Sequence, residues 1–137
     1  MRERGQITLL VIGFAMILLA LVAVVIDASQ VVLLRRSLAS LADGAALTAA
    51  QSLSEDALYS GRAGEALPLD EAAARAAVIR YVQRSGVQVR EVEVVVVGDR
   101  VTVALAARAD LPLVGSVTRS FDGTTVAARA SARSPIG

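Results

Sequence analysis

From Ile7 to Ile26 the chain reads ITLLVIGFAMILLALVAVVI, without one charged side chain, and only Thr8 carries a side-chain hydrogen-bonding group. A helix of that length rises roughly 30 Å, about the thickness of a bilayer's hydrocarbon core. Arg2, Glu3 and Arg4 bound the run on one side and Asp27 on the other. A charge at the centre of a membrane helix costs roughly 2.5–3.5 kcal/mol, so charged residues mark its ends. The pattern predicts a membrane-spanning helix. A buried core helix would carry a polar stripe, and a chain of 137 residues could hardly bury this segment on all sides. A cleaved secretory signal has a shorter apolar region ending in a small-x-small site. Here Ile26-Asp27-Ala28 puts an isoleucine where a small residue is wanted.

The period then changes without a break. Val31, Leu34, Leu38, Leu41, Ala45 and Thr48 recur at spacings of three and four, while Arg35, Arg36, Ser37, Ser40 and Asp43 lie largely off that stripe. No proline interrupts the run, and Gly44 is its only glycine beyond the membrane part. The spacing predicts one continuous helix from Ile7 to about Ser52, roughly 70 Å long. Its outer half is amphipathic and must pack on the chain's own domain or on a neighbour. Residues 1–52 thus read as anchor and helical extension. Residues 53–68, with Ser54, Ser60, Gly61, Gly64 and Pro68, read as a linker.

Residues 69–134 read as a small α+β domain. Asp70 and Glu71 open a second helix, where acidic side chains favour the positive end. It continues through Ala72, Ala73, Ala76, Ile79 and Val82, with Arg75, Arg80 and Arg84 turned away and Gly86 as its C-terminal cap. After Gly86 the period becomes two. Val92, Val94 and Val96 alternate with Glu91, Glu93 and Val95, and Gly98-Asp99 forms a two-residue hairpin turn. Val101, Val103, Leu105 and Ala107 continue the alternation, as do Val126, Ala128, Ala130 and Ala132. A short strand near Val117–Phe121 is expected to pair across an Asp122-Gly123 turn, the second helix to cover the sheet's apolar face, and Ser134–Gly137 to fray.

Composition narrows the chemistry. With the membrane helix set aside, about 110 residues remain, enough for one small domain. The net charge of +1, with scattered arginines as the only basic residues, leaves no footprint for nucleic acid. There is no cysteine and no histidine, which removes thiol chemistry, the usual general base and the commonest metal ligand. The 3% aromatic content is too low for a stacking platform. An enzyme is therefore the least expected class, and no cofactor, metal or small-molecule substrate is implied. Glu91 and Glu93 could form a carboxylate pair, but without a histidine they read as a solvated strand edge. Asp99 reads as turn chemistry, and Gly13 as helix packing at most.

Three features point to contacts. Asp27 is either a solvated boundary residue or a recognition charge that pairs with an arginine of a partner at the membrane edge. Asp43 lies among Ala42, Gly44, Ala45 and Ala46, small residues that allow close helix approach, and a carboxylate there wants an arginine or a backbone amide. The alternative is an ordinary exposed face. The loop Leu111-Pro112-Leu113-Val114-Gly115 is unusually apolar; it either caps the small sheet or touches a partner or the bilayer surface. With Leu34, Leu38, Leu41, Ala45 and Ala46 of the outer stripe, Asp27 and Asp43 make the subunit-contact candidates.

Arg4-Gly5-Gln6 before the apolar run, Asp27 at its outer end, Arg35-Arg36, and then Leu41-Ala42-Asp43-Gly44-Ala45-Ala46-Leu47-Thr48-Ala49-Ala50 form a familiar series. Over residues 2–52 the chain resembles the TadE/TadG-like family of tight-adherence (Flp) pilus assembly proteins. The resemblance implies a non-enzymatic, single-pass component of a pilus or secretion apparatus in a bacterial cell membrane. Its partners would be membrane lipid and other pilus-assembly proteins or itself, reached through the N-terminal helix. It also implies possible processing between Gly5 and Gln6. Processed members often carry glutamate five residues into the mature chain, where this sequence has Leu10, so an uncleaved, TadG-like anchor is expected. Arginines flank both ends of the span; the short N-terminal tail and the family favour a cytoplasmic N-terminus and an extracytoplasmic domain. The rival readings are a pilin or pseudopilin subunit cut after Gly5, and a membrane-tethered binding module unrelated to pili.

Overall fold

The computed structural model describes residues 3–60, 68–117 and 123–134. The order is α1 (Glu3–Ser60), α2 (Pro68–Ser85), β1 (Glu91–Val97), β2 (Arg100–Ala109), α3 (Val114–Val117) and β3 (Thr124–Arg133). The class is α+β, with a long apolar N-terminal helix followed by a helix and a small antiparallel sheet. α1 is continuous from the apolar run into the amphipathic stripe, because nothing between Ile7 and Ser60 breaks it: the run has no proline, and its two glycines sit in the helix. It extends to Ser60, past the Ser52 expected from the pattern. Ser54, read as a linker residue, is instead buried in a helical turn. Serine is a tolerable helix residue, and an isolated one does not terminate a long helix. Pro68, also read as a linker residue, begins α2, as its fixed φ suits a first helical position, and residues 61–67 lie outside the described residues.

The chain forms two compact units. One comprises Leu34–Arg108 and Thr125–Gly137. Its sheet has the order β1-β2-β3. β1 pairs antiparallel with β2 from Glu91 opposite Ala106 to Val97 opposite Arg100. The connecting turn is Gly98-Asp99, and of the two only Gly98 has a positive φ, +60°, the pattern of a type II′ hairpin. Across the next pair, Thr102 Oγ1 and Ser131 Oγ share a hydrogen bond of 2.9 Å, and Ser134 N donates to Asp99 O at 2.7 Å. The period-two reading holds in every strand. Val94, Val101, Val103, Leu105, Ala107, Val126 and Ala130 are buried, while Glu91, Glu93, Arg129, Ser131 and Arg133 are exposed.

α2 packs on β1 and contributes Ala74, Ala77, Val78 and Val82 to the core. Of the face expected from the pattern only Val82 is buried, while Ala72, Ala76 and Ile79 are exposed and Ala73 is half-buried, because an alanine-rich helix offers no single apolar stripe to fix its rotation. Its end matches expectation: Gly86 follows with φ +72°, and Ser85 Oγ donates to Val82 O and accepts from Val87 N. From α1 the core takes Leu38, Leu41, Ala42, Ala45, Ala46, Ala49 and Ala50. The outer stripe therefore packs within the chain, one of the two outcomes open to an amphipathic helix that cannot stand alone.

The other unit comprises Met1–Leu33 and Ala109–Thr124. It holds the apolar part of α1 and the segment after β2. Val114–Val117 forms the helical turn α3, so Val117 of the short strand expected near Val117–Phe121 is helical, and the other residues of that strand lie outside the described ones. Gly115 N donates to Leu111 O at 2.8 Å to close the turn. Residues 118–122 lie outside the described residues, and so does Asp122 of the expected turn; Gly123 has φ +111°. Of the expected frayed tail, 135–137 also lie outside them.

Candidate functional site

The apolar run is exposed along its whole length. Leu9 and Leu10 are each 75% accessible and Ile26, the least exposed of its large side chains, is 44% accessible. Among the described residues nothing covers its large side chains. α1 is long and apolar enough to cross a membrane, and its most apolar stretch has no buried share. Gly5 and Gln6 lie on the same exposed helix, and a side chain at Gly5 would meet no neighbour. Gly13 leaves a shallow notch on this surface, bordered by Leu9, Leu10, Phe14 and Ile17.

At the end of the run the surface changes. Asp27 is buried, at 3% exposure, next to a segment that lies far away in sequence. Its carboxylate accepts a hydrogen bond from Val114 N at 2.6 Å and a longer one from Leu113 N at 3.4 Å. These are backbone N–H groups at the start of α3, which have no acceptor within the turn itself. Asp27 therefore works as a capping side chain supplied from another helix. The two amides are partners that the residue pattern did not offer for Asp27. The sequence showed a carboxylate at the end of an apolar run and, separately, an apolar loop with a proline. It held no signal joining them across 86 and 87 positions.

The other candidates divide. Leu38, Leu41, Ala45 and Ala46 are buried in the chain's own core, and Leu34 is half-buried. Asp43 points the other way: it is exposed, while Ala42, Ala45 and Ala46 around it are buried. The close approach promised by the small residues occurs instead at its neighbour. Tyr81 of α2 lies directly over Gly44, and a Cβ built there would come within 2.7 Å of the ring carbon Cζ and closer still to the hydroxyl. Thr48 Oγ1 donates to Gly44 O at 2.8 Å in the same turn. Tyr81 is the only aromatic residue of α2, and no local pattern in the sequence joins it to Gly44.

Among the described residues no group of three or more His, Cys, Asp or Glu could hold a metal ion. Glu91 and Glu93 are exposed on β1, as expected for a solvated edge. What the chain presents is a bare apolar helix, a carboxylate that ties a loop to the end of that helix, and a compact domain packed around the helix's continuation.

No curated protein matches the chain, and no solved structure does. Residues 5–52, which hold the apolar run, Asp27 and the alanine-rich stretch around Asp43, match the family model Tad, "Putative Flp pilus-assembly TadE/G-like", and this match marks the chain as related to Flp/Tad pilus assembly.

Proposed function

We propose that the chain is a single-pass, non-enzymatic membrane component of a Flp/Tad-type pilus assembly or secretion apparatus. Ile7–Ile26 anchors it, the N-terminus is cytoplasmic, and the domain stands outside the membrane, where it makes contacts with other subunits. The observation that carries this reading is the coincidence of two features on the same residues: the family match covers 5–52, and the large side chains in the apolar part of that segment are exposed. Monomeric soluble proteins rarely expose contiguous apolar patches beyond a few hundred Å². A helix bare over four or more turns needs lipid or other helices around it.

Subunit contacts are assigned to the exposed surface of α1's outer half, where Leu33, Asp43 and Leu47 lie. Asp43 keeps its proposed role in this form, as a contact made with a partner. The anchor is tested by alkaline carbonate extraction of native membranes, which should leave the chain in the pellet, and by protease treatment of spheroplasts, which should remove the domain. Release by carbonate, or a protected domain, would overturn the reading. Intact-mass measurement of the purified protein separates it from the processed pilin. A chain that begins near Met1 is expected, since Leu10 stands where processed members carry glutamate. A chain that begins at Gln6 would favour the pilin.

A further inference from the structure

We propose that the loop Leu111–Val114 is a second lipid contact, an apolar wedge held by Asp27 in the interfacial layer of the bilayer at the outer end of the anchor. The inference rests on the membrane-spanning reading of Ile7–Ile26 and adds a site to it. Three observations lead there.

The first is position. Asp27 immediately follows the last residue of the uncharged run, and Val114 N lies 2.6 Å from its carboxylate. The polar layer on each side of a bilayer is roughly 5–8 Å deep, given a core of about 30 Å in a total of about 40–45 Å. Leu113 and Val114 therefore lie at the level of that layer. The second is surface. Pro112 and Leu113 are exposed, Leu111 and Val114 are half-buried, and no residue from Leu111 to Val117 carries a charge.

The third observation meets a requirement of lipid contact. Entering a medium that offers few hydrogen bonds requires that backbone donors be satisfied internally. Pro112 has no N–H, the N–H groups of Leu113 and Val114 donate to Asp27, and that of Gly115 donates to Leu111 O. The Ser116 hydroxyl donates to Leu113 O at 2.8 Å. The donors at the tip are thus closed off by the chain itself. This also explains why a carboxylate sits at the membrane boundary: two amide donors accompany it there.

The chain contains no tryptophan, so a Leu113→Trp variant of the full-length protein carries a single reporter. It would be reconstituted in phosphatidylcholine vesicles bearing a nitroxide either near the headgroup or near the acyl-chain end. Blue-shifted emission is expected, quenched more by the shallow nitroxide than by the deep one and shielded from aqueous iodide. Asp27→Ala in the same background should lose the shallow quenching and gain iodide quenching, while Asp27→Asn, which keeps an acceptor for Val114 N, should retain most of the lipid contact. Iodide quenching without nitroxide quenching in Leu113→Trp would place the loop in water and overturn the proposal. Quenching by neither would mean that protein covers the loop and would overturn it as well. Lipid quenching that Asp27→Ala leaves unchanged would remove the holding role of Asp27, and with it the proposal as stated. Phe14→Trp is the separate check on the anchor: it should be quenched by the deep nitroxide. If it is not, the membrane-spanning reading itself fails.

Discussion

The two halves of α1 share one unbroken backbone and have opposite relations to the rest of the chain. From Ile7 to Ile26 the side chains are the most apolar in the protein, yet none of the large ones is buried. From Leu38 to Ala50 the side chains are mostly small, yet Leu38, Ala42, Ala45, Ala49 and Ala50 are fully covered. Hydrophobicity by itself therefore did not select the core. Patterning did: a stripe can be satisfied by one partner surface, whereas a helix apolar all round needs an apolar environment. The two carboxylates follow the same division in reverse. Asp27, next to the bare half, is buried and bonded to backbone amides, and Asp43, in the packed half, is exposed.

The sharpest way to break this comparison is to shorten one leucine in each half. Leu38→Ala removes a fully buried side chain and should cost about 2–5 kcal/mol of domain stability. Leu18→Ala should change it by less than about 0.5 kcal/mol, as at an uncovered position. Chemical denaturation of the full chain in detergent, followed through the domain's β-sheet signal, measures both. Equal losses would mean that the inner half is packed by the chain after all.

A smaller effect is expected at Gly44. Gly44→Ala would drive a methyl group into Tyr81, and overpacking of this kind typically costs about 1–3 kcal/mol. Tyr81→Leu withdraws the ring and should recover part of that loss. The pair should then show a coupling of about 0.5–3 kcal/mol in a double-mutant cycle. Additive effects would contradict the contact.

The smallest stability effect belongs to Asp43. As an exposed side chain, Asp43→Leu should shift stability by less than about 0.5 kcal/mol. Co-purification of pilus-assembly partners at matched expression then reads the partner contact without interference from misfolding. Loss of partners with stability intact would support the contact, and unchanged partners would return Asp43 to the ordinary helix surface.

Local periodicity carried most of the fold. The apolar run, the outer stripe, the Gly86 cap and the alternation in Val101, Val103, Leu105 and Ala107 are each visible within a few residues of sequence, because helix and strand geometry repeat at that scale. The features that periodicity could not show are contacts between distant segments. Asp27 has a covered carboxylate only because residues 113 and 114 reach it, and neither segment's pattern names the other. Gly44 was recognised as part of a small-residue run, but that run identifies a close approach without saying which residue approaches. The segment after β2 is a further case: it reads as an apolar loop, and its helical turn is closed by the hydrogen bond from Gly115 N to Leu111 O and by Asp27 from a distant segment.

The alanines that α1 gives to the core have a consequence for alignment. An alanine has no side-chain rotamers to lose, so its ordering adds nothing to the entropy that folding must overcome beyond the backbone share. The same smoothness removes information. A row of methyl groups looks much alike from one turn to the next, and a helix laid against it could settle a turn higher or lower with little change in contact. Tyr81 seated over Gly44 is the large-into-small fit that distinguishes one setting from its neighbours. In a face built largely of alanine, one glycine and one tyrosine thus set the register as a key sets a lock.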